Sequence, residues 1–143
     1  MISKNRFILT LLIMGVIAVC SISAVSAMDI YGGAFSTNGG LGDLTYASID
    51  VGSQYSGDNV IIQIYYSRDG SLLNDGNMVP KTVTSGGFIN VKSADAYRYY
   101  PDHATVNVYT TNKVLLDTLD INLNAGSGIQ TFGQGFYDHS YIY

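Results

Sequence analysis

The sequence predicts an all-β chain: an antiparallel β-sandwich of about seven short strands, preceded by an N-terminal signal helix. Three observations predict it. Apolar and polar residues alternate with a period of two in several short runs, the pattern of strands with one buried face. Turn chemistry rich in Gly, Asp and Asn recurs about every ten residues, the spacing of sandwich strands. The 143 residues include 16 Gly and 12 Tyr but no Trp, and all 11 acidic residues are Asp, a composition that disfavours long helices and suits a sheet. Hydrophobic residues make up 47% and charged residues 13%, against about 25% charged in an average soluble domain, so a packed core is available and charge repulsion does not oppose it. The length fits one domain.

The chain divides into a signal peptide (1–27), a β-sandwich domain (28–132) and a Tyr-rich tail (133–143). Lys4 and Arg6 precede an apolar run from Phe7 to Val19, and Ala24-Val25-Ser26-Ala27 supplies small residues beyond it, the layout of a secretory leader cut after Ala27. Carried through Val25, the same apolar stretch approaches spanning length and would leave the chain membrane-anchored.

Asp29 to Gly42 is Gly-rich and reads as a first, edge strand followed by a loop. Ala47, Ile49 and Val51 then share one parity and Tyr46, Ser48 and Asp50 the other, giving a half-buried strand. Val60, Ile62, Ile64 and Tyr66 follow on one parity with Ile61 and Tyr65 on the other, so this run reads as a central strand covered on both faces. Two Asp-Gly pairs within 67–77 are turn signals. Lys81–Val83 and Phe88–Val91 are short strands separated by Ser85-Gly86-Gly87. Ser93 to Arg98 has room for at most a turn or two of helix before Pro101. Ala104, Val106 and Val108 alternate with polar neighbours, and Asn112-Lys113 turns the chain into Val114–Leu123. There the apolar parity switches between Leu116 and Leu119, which calls for a bulge near Asp117. Ile129–Phe132 closes the fold as an edge strand, and the tail has no room for a core of its own.

Beyond the leader, five basic residues (Arg68, Lys81, Lys92, Arg98, Lys113) face eleven aspartates, a net charge of −6. That sign excludes a basic nucleic-acid footprint and disfavours anionic lipid, so membrane contact runs only through an uncleaved leader. Cys20 is the only cysteine and lies in the leader, which removes disulfide scaffolds and thiolate metal sites from the rest of the chain.

Asp102-His103-Ala104-Thr105-Val106-Asn107-Val108 resembles the corner and penultimate strand of immunoglobulin-like domains, with Val106 and Val108 where that motif carries Tyr and Cys. The resemblance implies an immunoglobulin-like architecture. The stretches YYSRDGS, VPKTV, SADAYRYYP and LLDT resemble small uncharacterised secreted β-sandwich proteins of methanogenic archaea, some of them adhesin-like. That resemblance implies a cell-envelope role.

Three groups of residues carry candidate chemistry. Asp69, Ser71, Asn74, Asp75 and Asn77 gather oxygen ligands of the type calcium prefers, although the spacing is not that of an EF-hand and Asp-Gly pairs are turn formers in their own right. His103 and His139 each follow an Asp but lack further ligands, and read as solvated. Tyr97, Tyr99 and Tyr100 stand on a Pro-bounded corner where flat rings with polar tips suit a sugar or protein surface, whereas Tyr65, Tyr66 and Tyr109 suit sheet packing. No nucleophile elbow, Glu acid or phosphate-binding loop is present. The expectation is a non-catalytic extracellular module of the cell envelope, without a cofactor, that binds envelope polysaccharide or a surface protein. The alternative is a small Asp-dependent secreted hydrolase or a calcium-stabilised accessory domain.

Overall fold

The structure is a computed structural model and describes residues 28–37, 44–93 and 100–142. The leader, the predicted turn of helix through Arg98, and Tyr97 and Tyr99 lie outside the described residues. Nine strands follow in chain order: β1 (Gly32–Ser36), β2 (Thr45–Asp50), β3 (Asn59–Arg68), β4 (Ser71–Leu72), β5 (Val79–Thr82), β6 (Phe88–Ser93), β7 (His103–Tyr109), β8 (Leu115–Asn122) and β9 (Ile129–Gly133). One sheet runs β6-β2-β1-β9. The other runs β4-β3-β7-β8, with β5 also on β3, and every pairing is antiparallel. The chain is thus nearly all-β and forms two packed antiparallel sheets, as the alternating patterns require.

The core lies between the sheets. Phe35 of β1 is fully buried and ties the layers together: its ring meets Tyr66 of β3 edge-on, with centroids 5.9 Å apart, and stacks on Phe132 of β9 at 5.4 Å, both favoured aromatic geometries. Ile49, Ile62, Val106 and Val108 fill the same layer with under 2% exposure. Burial pushes the Tyr66 hydroxyl pKa well up, so it stays protonated.

Several expectations need correction. β1 is interior, between β2 and β9, because Gly33 lets the backbone of β2 approach: a Cβ there would run into the Ser48 carbonyl oxygen. β3 is central, and its stretch from Val60 to Ile64 is buried on both faces as expected; on the outer face Ile61 is buried and Gln63, 8% exposed, lies between it and Tyr65 among polar partners. The bulge falls where the parity switch requires it, with Val108 opposite Asp117 and Tyr109 opposite Leu115. The extra residue, Leu116, packs against the core.

The tail is fastened to the outer face of the first sheet. The Asp138 N–H donates to Ser48 Oγ at 2.9 Å, Asn90 Nδ2 donates to Asp138 Oδ2 at 2.9 Å, and the Tyr141 ring meets Tyr46 edge-on at 5.6 Å. Ile142 is buried. The strap explains why Ala34 and Ser48, which face away from the core, have no exposure.

Candidate functional site

The Asp102 end of the corner is rigid. Pro101 is fully buried, Arg68 Nη1 donates to the Tyr100 carbonyl at 2.8 Å, and the Asp102 N–H donates to Ser67 O at 3.0 Å. Asp102 Oδ2 in turn accepts the Asp69 N–H at 2.9 Å. Proline fixes its own φ and holds the residue before it extended, so Tyr100 leaves a clamped backbone with 37% of its surface exposed. Of the three corner tyrosines the described residues include this one alone.

The proposed calcium ligands divide between two local structures. Asp69 and Gly70, with φ of 50° and 79°, form the two-residue turn between β3 and β4, and Asp69 pairs with Arg68 at 3.6 Å. Asn74 does something else. Between the stretches of β3 paired by β5 and by β4 the ladder has a gap, and the Asn74 amide fills it: Oδ1 accepts the Tyr66 N–H and Nδ2 donates to Ile64 O, both at 2.8 Å. Its side chain is therefore engaged on the backbone. Among the described residues no group of three or more His, Cys, Asp or Glu side chains could hold a metal ion.

Asn74, Asp75 and Asn77 rim a cleft of about 220 Å³ between the sheets, floored by Ile62, Ile64 and Tyr66 and bounded across by Lys92 and Ser93 of β6. It is smaller than the roughly 300 to 1,000 Å³ of typical small-molecule sites, a size for one sugar unit or one side chain.

Three more aspartates act on the backbone. Asp50 accepts the Gly52 N–H at 3.0 Å, Asp117 accepts the Ile30 N–H at 2.8 Å, and Asp138 accepts the Ser140 N–H at 3.0 Å together with the Ser140 hydroxyl. For Asp50 and Asp138 the acceptor is a short side chain reaching a backbone N–H two residues on, a geometry Asp suits. Burial holds the Asp50 carboxyl above its usual value, only partly countered by the Gly52 N–H. The hydrogen bonds from Ser140 and Asn90 hold Asp138 below its usual value. His103 lies 3.6 Å from Asp120, and the His139 ring lies 4.1 Å from that of Tyr137.

Sequence reasoning missed a network on the outer face of β3, β7 and β8. Gln63 Nε2 donates to Gly76 O and to Tyr65 Oη, while its Oε1 accepts from Asn107 Nδ2 at 3.1 Å and from the Tyr109 hydroxyl at 2.7 Å. Thr118 Oγ1 donates to Asn107 Oδ1 at 2.6 Å, and Thr105 Oγ1 to Asp120 Oδ1 at 2.7 Å. The legible signal was a polar residue between apolar neighbours in β3 and the matching polar parity of β7.

Neither a family model, nor a curated protein, nor a solved structure matches the chain.

Proposed function

We propose that this is a non-catalytic, immunoglobulin-like binding or structural module of the cell envelope, exported by its leader and held at the surface or released. The observation that carries the reading is the clamped corner, which presents Tyr100 on backbone fixed by Pro101, Arg68 and Asp102. A rigid aromatic loses little entropy on binding and suits a polysaccharide or surface-protein partner. The strand order, with β2 and β6 adjacent in one sheet and β3, β7 and β8 in sequence in the other, supports the immunoglobulin-like type. The engagement of Asp50, Asp102, Asp117 and Asp138 in backbone hydrogen bonds favours binding over Asp-dependent hydrolysis. The turn role of Asp69 and the engagement of the Asn74 amide on the β3 backbone favour a calcium-independent fold.

The test is retention of the purified full chain on envelope fractions and their isolated polysaccharides, beside Tyr100→Ala and Asp102→Asn. Retention lost in Tyr100→Ala and kept in Asp102→Asn supports the corner. Equal retention of all three, with unchanged melting, removes it.

A further inference from the structure

The tail lies on the first sheet as a ligand lies on its receptor. Ala34 on β1 pairs with Ser48 on β2, and Ser48 with Asn90 on β6, so these three form one row across the outer face. The small side chains of Ala34 and Ser48 make a trough in which the tail backbone comes close: the Asp138 N–H reaches Ser48 Oγ, and Asp138 Oδ2 reaches Asn90 Nδ2. In the next row the Tyr46 ring takes the edge of Tyr141, and Ile142 is buried at 2% exposure.

Three features make this ligand exchangeable. The docked turn is closed by its own atoms: Asp138 Oδ1 accepts the Ser140 N–H and hydroxyl, and the Asp138 carbonyl accepts the N–H groups of Tyr141 and Ile142. It is therefore organised without help from the residues that lead into it, and forms equally well on either of two copies. The second feature is that among the described residues no strand follows β9, so the tail can leave while every ladder stays intact. The third is the lead itself. Gly133 and Gly135 have φ of 58° and 77°, a bend that glycine adopts or abandons without a side-chain clash. Phe136, between this joint and the docked turn, is 63% exposed, and Tyr31, whose carbonyl accepts the Gln134 N–H, is 39% exposed.

We infer that the trough accepts the tail of a second copy of this chain in exchange for its own, giving a two-fold dimer in which each tail makes on its partner the contacts it makes at home. The contacts are the same in both forms, so concentration decides between them. A tail on a short lead meets its own trough at an effective concentration on the order of mM, and exchange sets in as the chain approaches that range. In the exchanged pair the two leads cross between the copies and cover the Phe136 and Tyr31 rings, which the single chain leaves in water; this lowers the concentration required. Tyr100 and the corner take no part, so the inference stands apart from the function proposed above.

The test combines sedimentation velocity of the exported protein, from about 10 μM to about 1 mM, with cross-linking that only an exchanged tail permits. Tyr46→Cys and Tyr141→Cys, whose parent rings lie 5.6 Å apart, are placed on separate chains, each also carrying Cys20→Ser, and the mixture is treated with a short bis-maleimide. The expected results are a dimer fraction that grows with concentration and a covalent pair of one chain of each kind. An excess of a synthetic peptide spanning 134–142 should return the dimer to monomer and suppress the covalent pair. A monomer over the whole range, a dimer whose mixed chains give no covalent pair, or a dimer that the peptide leaves intact would each overturn the inference.

Discussion

At the scale of single residues, the side chains that matter most are those whose partners lie far along the chain. Asn74 completes the β3 ladder through its side chain, so Asn74→Ala leaves a buried N–H and a buried C=O unpaired. The expected loss is about 2 to 4 kcal/mol, read as a lower denaturant midpoint at unchanged slope. Gly76 has φ of 67°, and a Cβ there would strike the Tyr65 ring. Its carbonyl also accepts from Gln63, so Gly76→Ala should disturb the polar face as well as the fold. The positive φ of Gly76 was legible from the Asp75-Gly76 pair, but its contacts with Tyr65 and Gln63 and the ladder role of Asn74 were not, since Asn74-Asp75-Gly76 reads as a turn or a set of oxygen ligands. The turn at Asp69-Gly70 was legible because it needs only local backbone geometry. The difference is between a motif closed within four residues and a hydrogen bond that exists only once a strand lies beside it.

At the scale of elements, periodicity revealed β2, β3 and β7 because each has a fully buried face set against a more polar one. β1 was harder to place. All five of its residues are buried, its outward side under the tail strap, so it shows neither alternation nor the length of a central strand. Phe35→Ala removes the ring joining both sheets, and should cost about 3 to 5 kcal/mol, checked by equilibrium unfolding. The fastening of the tail was not legible because a Tyr-rich run carries no periodic signal, and its anchors on Ser48, Asn90 and Tyr46 lie far back in the sequence. Its fastening should depend on pH. Asp138 has a depressed pKa in the folded state, so its contribution is present above the unfolded carboxylate value near 3.9 and is lost as pH falls through the folded value. Asp50 has the opposite sign: its raised pKa contributes stability below the unfolded value, lost as pH rises through the folded one. The exchange protection of the Ile142 amide, taken relative to its intrinsic rate, should therefore fall below about pH 4, and in Asp138→Ala it should be weak at neutral pH already. Burial, with a smaller effect from Tyr46, pushes Tyr141 up to about 12, so in an alkaline absorbance titration Tyr141→Phe should remove a late-titrating component.

At the scale of the whole molecule, a weakly charged sandwich presents a clamped aromatic corner and, across β3, β7 and β8, an outer face with a polar network. Asp50, Asp102, Asp117 and Asp138 accept hydrogen bonds from the backbone at turns and segment ends. The proposed leader has its own test: intact mass of exported protein should show a chain beginning at Met28, whereas membrane-bound material retaining Phe7 to Val19 would establish an anchor. The most direct measurement is the equilibrium affinity of the full chain for the envelope fraction that retains it, compared between the parent and Tyr100→Ala at matched folded stability. The account predicts at least a tenfold loss of affinity in Tyr100→Ala, the scale of a buried aromatic anchor. Parent and variant affinities that agree within error would contradict it.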